Sequence, residues 1–218
     1  MTDILPAVEH LAELAAIAQL SVGDYYPIRS GYKMEVKGHI DEYLYSDNVK
    51  ITRFRNSFKR AILEAFYPAF EQGLMDGGGE APAQDEDLDW INARVDRELT
   101  FVDDLFEYLK DLKKQAKEED NSIFEGVSEL RSEGYARTLD GIYSTGKIMA
   151  KKNIMLTFGG PDGVESCAEC KKLKGQRHRA SWWIGHGLLL TRGNENYTCG
   201  VYHCEHHLYD VKGNVYTV

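Results

Sequence analysis

Apolar side chains recur every four residues through one long stretch, Phe54, Phe58, Ile62, Phe66 and Phe70. That spacing puts them in a single stripe on a helix that begins near Val49. Pro68 is expected to bend its last turn and Gly73 to stop it. A second stripe, Leu99, Val102, Leu105, Phe106, Leu109 and Leu112, predicts a helix over about 88–117, acidic at its start and lysine-rich at its end, as the helix dipole favours. Between the two, the glycines Gly77, Gly78 and Gly79, Pro82 and the run Asp85, Glu86, Asp87 read as a flexible acidic loop over 76–87. Ser122 with Glu125 three residues on is the spacing of a capping box. It opens a third helix that reaches Ile148, with an apolar face of Val127, Leu130, Leu139, Ile142 and Tyr135. Gly134, Gly141 and Gly146 weaken that helix.

The ends of the chain have a different texture. Residues 4–20, alanine-rich with Glu9 and Glu13, predict a short amphipathic helix. Gly23, Pro27 and Gly31 then read as breakers, and the alternation Tyr32, Met34, Val36 as a short strand. With Tyr25, Tyr26, Tyr43 and Tyr45 nearby, 21–48 is expected to be an aromatic, loop-like region. After residue 150 the pattern becomes strand and turn. Ile154 to Phe158 is a strand closed by Gly159, Gly160 and Pro161, and Val215 to Val218 is a final one. The expected architecture is mainly α, with long helices packed as a bundle and a small C-terminal β-rich (α+β), zinc-knuckle-like module. Its segments are 1–48 (N-terminal helix and aromatic loop or strand), 49–150 (helical bundle) and 151–218 (cysteine-rich β/turn module).

Composition sharpens this picture at the C-terminal end. The 218 residues carry a formal charge of −9, but residues 141–218 hold ten Lys/Arg against six Asp/Glu, a net of +4, which leaves −13 on the rest. An acidic body with a mildly basic terminal module suggests two surfaces with different partners. No stretch approaches the roughly 20 apolar residues of a membrane span, and the N-terminal residues lack the pattern of a signal peptide. A cytoplasmic origin is the expectation.

All four cysteines fall within 38 residues: Cys167-x2-Cys170, then 28 intervening residues, then Cys199-x4-Cys204. Two thiolates separated by two residues can grip one ion from a tight turn, and a second pair from a distant segment completes the tetrahedron that zinc prefers. His203, His206 and His207 surround Cys204 and can replace a cysteine as ligand, as can His178 and His186. Free structural thiols and disulfides are the alternatives. A metal with all four positions filled by protein would be structural and would leave no open catalytic site. Trp182 and Trp183, with Leu188, Leu189 and Leu190, are expected to fill the module's own small core. Lys171, Lys172, Lys174, Arg177 and Arg179 form a basic cluster that can meet phosphates or an acidic partner.

The run Cys204-Glu205-His206-His207 invites comparison with zinc-dependent nucleases of the histidine–metal type. Those need a hairpin and a following helix, whereas only 11 residues follow His207 and they read as a strand. A zinc-ribbon nucleic-acid adaptor using the Lys171–Arg179 cluster is a further alternative. No glycine-rich loop with Lys-Ser/Thr, no His-Glu-x-x-His and no Gly-x-Ser-x-Gly is present. Cys167 and Cys170 lack the βαβ frame of a thioredoxin-like redox pair. Catalysis is not expected.

The string Cys167-Ala-Glu-Cys-Lys-Lys-Leu-Lys-Gly-Gln-Arg-His178, followed by Trp182-Trp183, Gly187-Leu188 and Cys199-Gly-Val-Tyr-His-Cys-Glu-His-His-Leu208, resembles the C-terminal module of the Mu F-like head morphogenesis proteins, minor head proteins of tailed bacteriophages. Family members carry Cys-x2-Cys-x2-Leu-x-Gly and a glycine turn before a last cysteine and a basic or histidine pair. This chain closes with Cys204-Glu205-His206, where many members have Cys-Arg-Cys or Cys-Arg-His. The motif-bearing likeness covers roughly 155–212, and the preceding helices match in layout only. The resemblance implies a structural, non-enzymatic component of the virion that acts in capsid assembly near the portal. Its implied partners are the portal and the major capsid protein, with packaged DNA and a second copy of the chain as further contacts. It would reside in the phage head, and in the host cytoplasm during assembly.

Overall fold

A computed structural model of the chain describes residues 25–46, 48–80, 85–116, 121–161, 166–201 and 204–216. It is mainly helical, with a small three-stranded sheet module and closely packed helices. The helix expected over 4–20 lies outside the described residues. The first helix, α1 (Tyr25–Tyr45), occupies the region expected to be loop and strand. Tyr25, Tyr32, Val36, Ile40 and Tyr43 are buried along one face, whereas Met34 is 74% exposed. The apparent alternation around Met34 is therefore a helical turn, in which Tyr32 and Val36, four apart, face the core. Pro27 sits in the first turn, where its missing N–H has no helical partner to lose.

The next helix, α2 (Ile51–Asp76), buries the expected stripe from Phe54 to Phe70 and continues through both Pro68 and Gly73. It stops at Gly77–Gly79: the Gly79 amide reaches the Leu74 carbonyl at 2.9 Å and the Gly78 amide that of Met75 at 2.8 Å, with Gly78 at φ +82°. This is a Schellman cap, and Gly78 meets its left-handed requirement without a Cβ clash. Helix α3 (Asp85–Ala116) starts earlier than the expected position near residue 88. Near its other end, Lys113 donates to the carbonyls of Tyr43 (3.0 Å) and Ser46 (2.6 Å), capping α1.

Ser122 and Glu125 do not form a side-chain capping box. Residues Asn121–Phe124 make a 3-10 turn, and α4 (Val127–Ala150) starts after Gly126, whose φ of +74° turns the chain without a side-chain cap. Leu130 faces solvent, 72% exposed, while Tyr135, Leu139 and Ile142 enter the core as expected. Helix α4 packs against α1 and α2, and α3 against α2. Gly73 and Gly146 mark the closest approach: a Cβ on Gly73 would lie 2.1 Å from the Tyr143 carbonyl oxygen, and one on Gly146 2.3 Å from that of Phe70. The residues read as a stop and a weak point are thus contact points between two backbones.

The chain then forms β1 (Met155–Gly159), α5 (Ala168–Leu173), β2 (Arg177–Arg179), α6 (Ala180–Gly185) and β3 (His207–Tyr209). The sheet is antiparallel in the order β2-β1-β3, with Leu156 opposite His178 and Phe158 opposite Leu208. The expected closing strand is reduced to a single bridge, Val215 with Tyr209, plus the Tyr216 amide on the Leu208 carbonyl at 2.8 Å; 217–218 lie outside the described residues. Ile148, Leu156, Phe158, Leu173, Trp183, Tyr197 and Leu208 belong to a second core, separate from that of the bundle. A strap at Thr191–Glu195 ties the module to the bundle. Thr191 lies over Gly141 and the Arg192 guanidinium over Gly134, while Arg94 donates to the Arg192 carbonyl and Arg97 pairs with Glu195 at 2.9 Å.

Candidate metal centre

Cys167 and Cys170 are brought together by the first turn of α5. Cys167 is its N-cap, and its sulfur accepts from the Cys170 amide at 3.4 Å. A Cys-x2-Cys pair fits here because N-cap and N3 lie on the same side of a first turn. Cys199 comes from the loop after α6. That loop is held by side chain to backbone bonds: Asn194 donates to the carbonyls of Gly187 (2.8 Å) and Leu189 (2.7 Å), and the Tyr197 hydroxyl to that of Leu188 (2.8 Å). Glu169, on α5, accepts from both the amide (3.0 Å) and the hydroxyl of Thr198. These bonds fix the residue next to Cys199 against the helix that carries Cys170, and hold the Glu169 carboxyl down at about 2. Gly200 and Val201 then turn the chain through positive φ (57° and 59°). Cys204 follows, just ahead of β3.

The donors gather as two overlapping groups that share Cys170, and no single group holds all four sulfurs within 4.8 Å of one another. Donor atoms of Cys167, Cys170 and Cys199 all lie within 4.8 Å of one another, as do those of Cys170, Cys204 and His206. The Cys170 and Cys204 sulfurs are 3.8 Å apart. Zinc–sulfur bonds of about 2.3 Å at tetrahedral angles put sulfurs about 3.8 Å apart, so this edge already has the length a bound ion requires. All four cysteines are free thiols rather than disulfides. Burial opposes the thiolate of Cys167, but hydrogen bonds from Cys170 and Cys199 outweigh it and hold this thiol below its ordinary range. Burial and the neighbouring sulfurs push Cys170 up, and burial does the same to Cys199. Thiolates crowded this closely repel one another unless a cation neutralises them. The cluster can hold a metal ion.

Of the histidines offered as substitute ligands, His206 enters the cluster, and His178 and His186 lie outside both donor groups. It is 4% exposed, stacks on Phe158 at 5.3 Å, and sets Nδ1 3.5 Å from the Cys204 sulfur and Nε2 3.2 Å from the Ser166 hydroxyl. Burial lowers its pKa. Gly160 makes room: a Cβ there would fall 2.7 Å from the imidazole. His207 lies one residue on, at the start of β3, edge-on to Tyr209 and outside both donor groups. His203 lies outside the described residues. Sequence reasoning did not foresee Ser166, Glu169 or Gly160, since only the β1–β3 pairing and the packing of α5 bring them to the cluster. Trp183 fills the module core as expected, whereas Trp182 is half-buried between His178 (ring centroids 3.7 Å) and His186 (4.0 Å). Comparison with protein families, with curated proteins and with solved structures finds no significant match to this chain.

Proposed function

We propose that the chain is a structural minor head protein of a tailed bacteriophage or prophage, acting in capsid assembly near the portal, and that one zinc ion staples its C-terminal module. The observation that carries this reading is that Cys199 gathers with Cys167 and Cys170, and Cys204 and His206 with Cys170, although Cys199 and Cys204 come from a segment 28 residues downstream. Those are the residues on which the resemblance to the Mu F-like proteins rests. Four protein thiolates close a tetrahedron and leave the ion no position for water or substrate. Such an ion builds structure. Here it joins α5 to the Cys199 loop and to the approach to β3, in a module whose apolar core is small. The portal and the major capsid protein are the partners this role requires.

His206 acts from outside the tetrahedron in this reading, donating Nδ1–H to the Cys204 thiolate while Ser166 holds Nε2. Zinc ligands are commonly oriented by such outer partners. His206→Ala is therefore expected to keep one ion per chain but to weaken its hold by about 10- to 100-fold in a chelator competition. Complete loss of the ion would make His206 a ligand. The nuclease alternative requires His206 and His207 to serve one catalytic ion. Successive residues entering a strand turn to opposite sides, and His206 is turned toward Cys204, which favours the structural reading.

The test is made in the phage or prophage that encodes the chain. The protein is expected in purified heads by mass spectrometry, and deleting its gene is expected to lower the yield of filled heads. Normal infectious particles without the protein would overturn the proposal.

A further inference from the structure

We propose that the face formed by α5, β2 and the start of α6 binds duplex DNA through its phosphates, without reading sequence. Between Lys171 and Arg179 there are five cations and no carboxylate. Lys171, Lys172, Lys174, Arg177 and Arg179 are all exposed. The fold adds a sixth cation: the Ser181 amide binds the Lys152 carbonyl at 2.9 Å, and Met155 pairs with Arg179, so exposed Lys152 joins the same end of the sheet. Strand β2 is a sheet edge, and Arg177 and Arg179, two apart, share one side of it.

The contrast with the bundle is what singles out this face. There, most basic side chains are paired on the surface, Lys33 with Glu129 and Glu133, Lys37 with Asp41 and Lys110 with Glu107 among them, and Lys50 and Lys59, unpaired among the described residues, do not form a run. Among the described residues, no salt bridge engages Lys171, Lys172 or Arg177. The one acid on α5, Glu169, is bonded to Thr198. Lys171, Lys172 and Arg177, exposed on the basic module of a chain whose remainder is strongly acidic, would orient the molecule, basic module inward, on a polyanion. The aromatic rings nearby do not offer base stacking, because both faces of the Trp182 indole are covered by His178 and His186. Backbone contact to a duplex is the mode that remains, rather than the stacking used by single-strand binders. The inference rests on the head-protein reading only for its setting, and it is measured on the purified full chain, so either can fail alone.

The probe is a labelled random-sequence duplex of about 24 base pairs, followed by fluorescence anisotropy between roughly 50 and 200 mM salt. Four phosphate contacts would give a salt slope near −3.6 and about a 150-fold loss of affinity across that range. The double variant Lys171→Gln/Arg177→Gln should flatten the slope by about 1.8, whereas Arg53→Gln on the bundle should leave it unchanged. Lys171→Arg/Arg177→Lys should keep the parental affinity, which shows that charge and not folding is being read. No binding at the low salt, an unchanged slope in the double variant, or tighter binding of single-stranded DNA with quenched tryptophan fluorescence would each overturn the inference.

Discussion

Cys170→Ser is expected to abolish metal binding and unfold the C-terminal module while the helical bundle stays folded. Cys170 is the one residue common to both donor groups, and it is 1% exposed. A serine hydroxyl is a hard, neutral donor and a poor replacement for a thiolate on a soft ion. Structural zinc sites in finger peptides are worth about 10–16 kcal/mol at neutral pH, far more than a small core can replace. Two of the chain's three tryptophans, Trp182 and Trp183, lie in the module and Trp90 in α3. Fluorescence should therefore shift to the red while most of the far-UV helical signal, which comes from α1 to α4, survives. A Cys170→Ser protein with its ion and native fluorescence would contradict the stapling role.

The second large effect is expected at the α2–α4 crossing. Gly73→Val should destabilise the bundle by about 3 kcal/mol or more and lower Tm by about 10 °C. A Cβ at Gly73 would sit 2.1 Å from the Tyr143 carbonyl oxygen, 3.0 Å from its carbonyl carbon and 3.1 Å from the Lys147 amide nitrogen. These are backbone atoms, so no rotamer change relieves the clash, and the two helices must move apart along their shared core. Gly146→Val should act alike from the other side, against the Phe70 carbonyl and the Leu74 amide. Gly31 and Gly38 on α1 provide the contrast, since nothing lies within 4 Å of a Cβ at either. Alanine at those two sites should stabilise by about 0.5–1 kcal/mol each, as in an ordinary helix interior. Thermal denaturation followed by circular dichroism distinguishes the two classes of glycine.

That contrast also explains which parts of the fold were legible in the sequence. The stripe from Phe54 to Phe70 and the one from Leu99 to Leu112 are strong periodic signals, and both helices are present. In α1 the helical stripe Tyr32–Val36–Ile40–Tyr43 coexists with an alternation through Met34, and Pro27 and Gly31 read as breakers. Tertiary packing decided in favour of the helix. Pro27 costs little in a first turn, and the exposed Met34 is a side chain that no sequence rule marks as outward. The glycines of α2 and α4 were visible, but their purpose was not. A glycine that stops a helix and one that admits a neighbouring helix look alike until the partner backbone is placed.

At the metal centre the cysteine spacing carried most of the information. A Cys-x2-Cys pair at a helix start needs nothing beyond its own turn, so it can be read locally. His206 could be named as a candidate donor from its place beside Cys204. Its orientation depends on Gly159 pairing with His207, which brings Gly160 under the imidazole ring. Glu169 gave no local signal at all, because its partner Thr198 is 29 residues away. Long-range contacts of this kind are set by the sheet register and by the loop from Leu188 to Gly200.

Elemental analysis of the purified, reduced full-length protein, with parallel titration of its thiols, tests the stapled module most directly. The expected result is one zinc ion per chain, with four thiols that react only after a chelator removes it. A folded chain that carries no metal, and whose four cysteines all titrate at once, would contradict it.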